Sequence, residues 1–218
     1  MERGMTVTND AKALSPSRAR QALWAGVIGA PLFVLVGLVD GFIHPDYNQV
    51  TDYWSEMSPG QLGWLQTTNF LVDGAALLAF AAGIRWGARR GPGSAAGAAL
   101  FAVIGAANVV SGLFTIDAHT STVQTLSGTI HMAAAPPVFF GLVATCFVFA
   151  RRFRGALRAY SVGSGILLLL SIFSFLVLGA TLNITGILQR GAILVGWQWI
   201  TVLALALRAE PASPGELR

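Results

Sequence analysis

The first group of side chains that could do chemistry lies in the stretch TDYWSEMSPGQLGWLQTTNFLVDG, which begins at Thr51. This stretch contains the carboxylates Asp52, Glu56 and Asp73 and no Lys or Arg. Carboxylates of this kind can act as general bases or bind a cation. Since no basic residue is near them in the sequence, any counter-charge must come from elsewhere in the chain.

A second group lies in FTIDAHTSTVQTLSGTIHMAAAPP, which contains Asp117, His119 and His131. Earlier in the chain, Asp40 and His44 are one helical turn apart and share a face. Carboxylates with imidazoles suit a divalent metal such as zinc. Because the sequence has no HExxH or other tight ligand motif, we assign no metal ligands. A divalent metal cofactor stays open beside the alternative of three unrelated histidines.

Arg190, in the motif GILQRG, is the single basic residue expected on the same side as these acids. A half-buried guanidinium needs a carboxylate partner or an anionic ligand. The candidate partners are Glu56, Asp117 and Asp73. The alternative is an arginine that extends to lipid headgroups.

Composition indicates what kind of scaffold holds these groups. The chain has 218 residues, of which 54% are hydrophobic and 11% charged, and its mean hydropathy is +0.64. A soluble domain carries roughly 25% charged residues, and an apolar run of roughly twenty residues can cross a membrane as a helix. The sequence therefore predicts an all-α polytopic membrane protein with six transmembrane helices. The expected spans are 22–43, 64–84, 95–116, 127–150, 157–180 and 188–207.

The positions of the basic residues predict the orientation. With six spans, thirteen of the fourteen Lys and Arg residues fall on one side, which the positive-inside rule assigns to the cytoplasm. We expect a disordered cytoplasmic tail over 1–21, the bundle over 22–208, and a cytoplasmic C-terminal tail over 209–218, with both termini inside. This placement excludes a nucleic-acid partner. The preference for Arg over Lys fits a GC-rich bacterial genome, so we expect a multi-pass protein of the bacterial cytoplasmic membrane.

One carboxylate is expected deep in the membrane. Asp73 lies about 14 Å from the predicted start of the second helix, at 1.5 Å per residue. Gln66, Asn69 and Asp73 share a helical face that must point into the bundle. Such an acid costs roughly 2.5–3.5 kcal/mol to insert and is by default a functional candidate. The alternative is an Asp that joins two helices through hydrogen bonds, with Asn108 and Ser111 as possible partners.

The second loop region carries two structural expectations. Asp117 and His119 are expected to end the third helix. Pro136-Pro137 is expected to break the fourth helix near mid-membrane and to open or kink it, because proline removes backbone hydrogen bonds. His131, about a turn inside that helix, would then face a polar cavity.

Several motifs in the same order resemble a known family. They are GVIGAPLFVLVGLVDG, DYWSEMSPGQLGWLQTTNF, GLFTIDAH, His131 in the fourth helix, and GILQRG before Trp197. The chain resembles the bacterial six-helix membrane proteins catalogued as domain of unknown function 998. The resemblance implies the fold but no activity, because the activity of the family is unknown. It also singles out Glu56, Asp117, His131 and Arg190 as positions that match the family pattern.

Three classes of function fit these residues. The first is an outer-face enzyme, with catalytic Glu56, Asp117 and His131 and with Arg190, Asn69 and Asp73 binding a lipid-like or anionic small molecule. The second is a non-catalytic lipid-binding or structural membrane subunit, whose partners are membrane lipids. The third is a small proton-coupled transporter with Asp73 as its titrating group. Transport ranks below the others because the inner halves of the helices lack a polar path. Catalysis itself and the oligomeric state stay open.

Overall fold

In this computed structural model, residues 16–88, 90–118 and 121–210 are described, and they contain helices and no strands. Two short turns accompany the helices: a 3₁₀ turn at Trp54–Met57 and a π turn at Gly83–Gly87. The helices are α1 (Pro16–Gln21), α2 (Trp24–Ile43), α3 (Gly63–Ala82), α4 (Ser94–Leu113), α5 (Leu126–Ala150), α6 (Gly155–Leu182) and α7 (Thr185–Ala209).

Six of the helices in the described part of the chain, α2 to α7, are long and apolar enough to cross a membrane. Their bounds differ from the predicted spans by at most three residues. The prediction of an all-α protein with six transmembrane helices is therefore confirmed.

The six long helices form a closed ring. Each packs against the next in the chain, and α7 returns to pack against α2. One end of the ring carries the segment 44–62, the segment 114–125 and the turn 183–184, and we call it the long-loop end. The opposite end, the arginine end, holds Arg20, Arg85, Arg90, Arg151, Arg152, Arg154, Arg158 and Arg208.

Helices α3 and α4 approach each other closely at Gly74 and Gly105. A Cβ atom built on Gly74 would lie 2.7 Å from the carbonyl oxygen of Gly105, and one on Gly105 would lie 2.8 Å from that of Gly74. Small residues allow this contact between backbones, which is how helices commonly associate in membranes.

Two expectations about helices α4 and α5 are wrong. Helix α5 continues from Leu126 to Ala150 with Pro136-Pro137 inside it, so the predicted break does not occur. A proline in a membrane helix is tolerated where neighbouring helices and local adjustments satisfy the freed carbonyls. Helix α4 ends at Leu113, so Asp117 lies beyond it rather than at its end, and His119 lies outside the described residues.

The N-terminal region also differs from the expectation of a disordered tail. Residues 1–15 lie outside the described part, but Pro16–Gln21 form α1. The side chain of Ala19 is fully buried, and a Cβ on Gly87 would lie 2.3 Å from the Ala19 backbone. This contact holds α1 against the π turn at the arginine end. Residues 211–218 of the predicted C-terminal tail also lie outside the described residues.

Candidate functional site

The segment 44–62 folds over the long-loop end and is held by the first turns of α7. The amide of Ile187 donates to the Val50 carbonyl at 3.2 Å, and the amide of Trp54 donates to Gln189 Oε1 at 2.7 Å. The first turns of α7 therefore position the polar residues of the first loop.

Arg190, also in the first turns of α7, makes several further contacts with the same loop. Its guanidinium, in a side chain only 8% exposed, donates to the carbonyls of Gln49 at 2.5 Å and Asp52 at 3.5 Å, and to the hydroxyl of Tyr47. It also lies over the aromatic rings of Tyr47 and Trp54, at 5.2 and 5.7 Å from their centroids. Cation–π contacts of this kind stabilise a desolvated guanidinium.

The predicted ion pair of Arg190 with Glu56, Asp117 or Asp73 is wrong. Main-chain carbonyls of the loop and the Tyr47 hydroxyl supply the acceptors instead. A segment without regular structure leaves such carbonyls free to accept. Arg190 also does not point to lipid headgroups, since it is enclosed by this loop.

Tyr47 completes the contact with Arg190. Its hydroxyl donates to the Tyr53 carbonyl at 3.1 Å and accepts from Arg190. Burial raises the pKa of Tyr47 to about 12, although the nearby guanidinium acts in the opposite direction. The phenol is therefore neutral at physiological pH and acts as a hydrogen-bonding group.

Glu56 lies in the 3₁₀ turn, where it has a local structural contact. Its Oε2 accepts from the amide of Tyr53 at 2.7 Å, which closes a capping box. Glu56 also lines an open pocket of about 430 Å³ at the long-loop end, together with His44 and Asp52. His44 Nδ1 lies 3.2 Å from Asp40 Oδ1, as their spacing on one helical face predicts.

Asp117 braces the start of α5. Its Oδ2 accepts from the amide of Thr125 at 2.9 Å and its Oδ1 from the Thr125 hydroxyl at 2.5 Å. Thr125 in turn caps the helix by accepting from the amide of Gly128. The hydrogen bonds from Thr125 hold the pKa of Asp117 below its usual range. Since both carboxylate oxygens are engaged, this arrangement favours a structural role.

Asp73 joins three helices at the centre of the bundle. Its Oδ2 accepts from Asn108 Nδ2 at 2.6 Å and its Oδ1 from Trp197 Nε1 at 3.0 Å. Asn69, one turn away, donates to the Phe33 carbonyl at 3.0 Å and so ties α3 to α2. Asn108 was expected as a partner from the sequence. Trp197 was not, although its indole is a donor that needs an acceptor when buried.

His131 is buried between the end of α4 and α5. Its Nδ1 lies 2.8 Å from the Phe114 carbonyl and 3.1 Å from the Ser111 carbonyl. Both neighbours are acceptors, so Nδ1 carries a proton, and in the neutral imidazole Nε2 is then an acceptor. Ser111 thus contributes its carbonyl at the helix end, rather than its hydroxyl to Asp73.

A cavity of about 170 Å³ lies beside His131, between α5 and α6. Its apolar wall consists of Met132, Phe139, Phe140, Ile172, Phe175 and Leu176, and its polar end of Tyr53, Ser55, His131 and Gln189. Met132, Phe140 and Leu176 are exposed on the flank of the bundle. The cavity therefore opens sideways, toward the region that lipid occupies.

Comparison with known proteins identifies the family. The model of the family described as protein of unknown function (DUF998) matches residues 27–206. The chain belongs to this family. The resemblance inferred from the motifs is confirmed, and the match spans every candidate site residue. No curated protein and no solved structure matches the chain.

The six predicted site residues of this DUF998 chain do not converge on one pocket. Among them His131 lines the lateral cavity, while Glu56 lines the open pocket and Arg190 holds the loop. Sequence reasoning missed Ser55 and Gln189, which lie at the polar end of the cavity. Both were visible as polar residues next to Glu56 and Arg190, but nothing in the pattern related either of them to α5.

The described residues also show no ready metal centre. Within 16–88, 90–118 and 121–210, no group of three or more His, Cys, Asp or Glu side chains could hold a metal ion. Asp40 and His44 meet as a pair, and His131 contacts backbone carbonyls. These contacts give a divalent metal no support in the described part.

Proposed function

We propose that this protein binds a lipid-like molecule through the lateral cavity between α5 and α6. The observation that carries the proposal is an apolar cavity, open on the flank of a membrane-spanning bundle, with hydrogen-bonding groups at one end. An amphipathic molecule moving in the bilayer fits such a site, since its chain contacts the apolar wall and its polar group reaches Ser55 and His131.

The size of the cavity supports partial enclosure. Pockets that enclose a whole small molecule have roughly 300–1,000 Å³. A volume of about 170 Å³ holds only part of a lipid, so the rest of the molecule stays in the bilayer. This favours a ligand that enters sideways over one that enters from water.

The contacts of Asp117 and Glu56 favour ligand binding over catalysis. Both oxygens of Asp117 are engaged with Thr125, and Glu56 faces a different pocket from His131. A general base must be within hydrogen-bonding reach of the proton that it removes. Of the three predicted catalytic side chains, His131 lines the lateral cavity and Glu56 and Asp117 do not, which supports binding over catalysis there.

Transport receives less support. Asp73 has a hydrogen-bond donor on each carboxylate oxygen, from α4 and from α7. A titrating group in a carrier needs access to a proton path, whereas these contacts join helices. We place the protein in the bacterial cytoplasmic membrane with the long-loop end outside, which puts the cavity in the outer leaflet.

A lipid with a photoreactive diazirine in its acyl chain tests the proposal. In phosphatidylcholine vesicles that contain this lipid, we expect strong labelling of α5 and α6 residues around the cavity. Ala135→Trp places a large ring at the cavity wall and should reduce this labelling several-fold. The matched control, Val103→Trp, puts the same ring on a lipid-facing position of α4 and should leave it unchanged. Uniform labelling of all lipid-facing helices, unaffected by Ala135→Trp, would contradict the proposal.

A further inference from the structure

Three polar atoms at the end of the lateral cavity have no hydrogen-bond partner among the described residues. They are Ser55 Oγ, His131 Nε2 and the side-chain nitrogen of Gln189, each in a side chain more than nine-tenths buried. None of the three belongs to the fully enclosed atoms without a partner, which are Asp40 Oδ2, Trp54 Nε1, Ser58 Oγ and Gln66 Nε2. Each therefore keeps some accessible surface, and all three residues line the cavity.

For two of these atoms, the contacts of the other polar atom in the same side chain determine whether the atom donates or accepts. Since Nδ1 of His131 donates to carbonyls, Nε2 of the neutral imidazole is an acceptor. Since Gln189 Oε1 accepts from the amide of Trp54, its nitrogen is free to donate. The Ser55 hydroxyl can do either. These three atoms thus offer one acceptor, one donor and one adaptable hydroxyl.

The cavity wall is also electrically neutral. No Asp, Glu, Lys or Arg of the described segments lines it, and the polar members besides His131 are Tyr53, Ser55 and Gln189. Arg190 directly follows Gln189 in the sequence, but its guanidinium donates to the loop carbonyls of Gln49 and Asp52. Burying a phosphate or carboxylate without a paired charge costs free energy, so this wall disfavours an anionic headgroup.

We propose that the cavity recognises the hydroxyl group of a neutral lipid alcohol. This inference rests on the proposed function and specifies its ligand. A hydroxyl has one donor and two acceptor positions. It donates to His131 Nε2 and accepts from Ser55 Oγ and the Gln189 nitrogen, while its hydrocarbon chain lies against Phe139, Phe175 and the bilayer. A carboxylate has no proton to give to His131.

Competition against the diazirine-labelled lipid tests this ligand class. Three competitors share one chain: 1-hexadecanol, its methyl ether, which cannot donate, and hexadecanoate, which is charged. With the full-length protein in phosphatidylcholine vesicles, we expect the alcohol to compete about tenfold better than the ether, because the ether leaves a buried acceptor unpaired.

Two variants connect the preference to the site. Ser55→Ala removes a hydroxyl that forms no hydrogen bond with a described residue, so folding should be unaffected while the alcohol loses its advantage several-fold. His131→Phe should remove the advantage entirely. The control, Ser171→Ala, removes a hydroxyl of α6 that does not line the cavity, and should change nothing.

The outcomes separate the two proposals. Equal competition by alcohol and ether, with labelling still centred on the cavity, would overturn the hydroxyl assignment and leave lipid binding intact. Preference for hexadecanoate would overturn the assignment in favour of an anionic ligand. If no competitor reduces labelling at the cavity, both the ligand class and the proposed function are wrong.

Discussion

Asp73 illustrates how a carboxylate can be accommodated deep in a membrane bundle. It accepts from Asn108 on one oxygen and from Trp197 on the other, so three helices share one side chain. Hydrogen bonds between membrane helices contribute about 0.6 kcal/mol on average, with the largest near 1.7 kcal/mol. The insertion cost of an acid, roughly 2.5–3.5 kcal/mol, is therefore offset in part by its two donors.

The contacts of Asp73 predict graded effects of substitution. Asp73→Asn keeps one acceptor oxygen and should fold, with a loss of about 1 kcal/mol in stability. Asp73→Lys replaces two accepted bonds with a cation facing two donors and should not fold. Thermal unfolding of the detergent-solubilised variants measures this. An Asp73→Lys protein as stable as the parent would mean that residue 73 faces water or headgroups.

Arg190 marks the limit of inference from residue types. The sequence identifies it as the single basic residue on the side of the acids, and the structure places it against the first loop. Its acceptors, however, are the carbonyls of Gln49 and Asp52 and the hydroxyl of Tyr47. Main-chain groups are the same at every position, so no sequence pattern can indicate which of them will accept. A search for a carboxylate partner therefore could not identify the carbonyls of Gln49 and Asp52 as acceptors.

At the scale of elements, membrane helices are predictable because the bilayer fixes their length. Each apolar run of roughly twenty residues became one helix. The interior of α5 was not predictable in the same way, because whether Pro136-Pro137 breaks a helix depends on the helices around it. The cavity beside Pro136 likewise depends on how α5 and α6 pack, which no single helix encodes.

The close contact between α3 and α4 predicts that substitutions at two glycines, one inside this contact and one outside it, have very different effects on stability. Gly105→Leu would force a side chain into the backbone of Gly74 and should separate the helices, with a loss of stability of about 1–3 kcal/mol. Gly163→Ala, in α6, meets no atom within 4 Å and should be neutral or slightly stabilising. Denaturation in detergent compares the two variants. Equal stability of both would show that the close approach of α3 and α4 is not needed.

At the scale of the whole molecule, the arginine end closes the ring. Arg152 pairs with the carboxylate of Glu210 and donates to Ser94 at 2.9 Å. Arg20 donates to the carbonyls of Arg208 and Glu210 at 2.6 and 2.7 Å, where α7 ends and its last carbonyls lack helical partners. The start of the bundle is thereby joined to its end, and basic residues hold both together.

This distribution of charge predicts the orientation of the protein in the cell. Among the described residues, every Arg except Arg190 lies at the arginine end, and Arg190 is buried at the long-loop end. Short loops that carry several Lys or Arg residues stay on the cytoplasmic side of the membrane. We therefore expect the arginine end and both termini to be cytoplasmic, and the long-loop end to face outward.

Cysteine labelling of intact cells measures the orientation directly. The native Cys146 is fully buried, so it should contribute little background. Gln61→Cys, exposed at the long-loop end, should react with a membrane-impermeant maleimide in intact cells. Arg90→Cys, exposed at the arginine end, should react only after permeabilisation. The reverse pattern would invert the assignment and move the lateral cavity to the inner leaflet, where its lipid alcohol would have to be supplied from the cytoplasmic side.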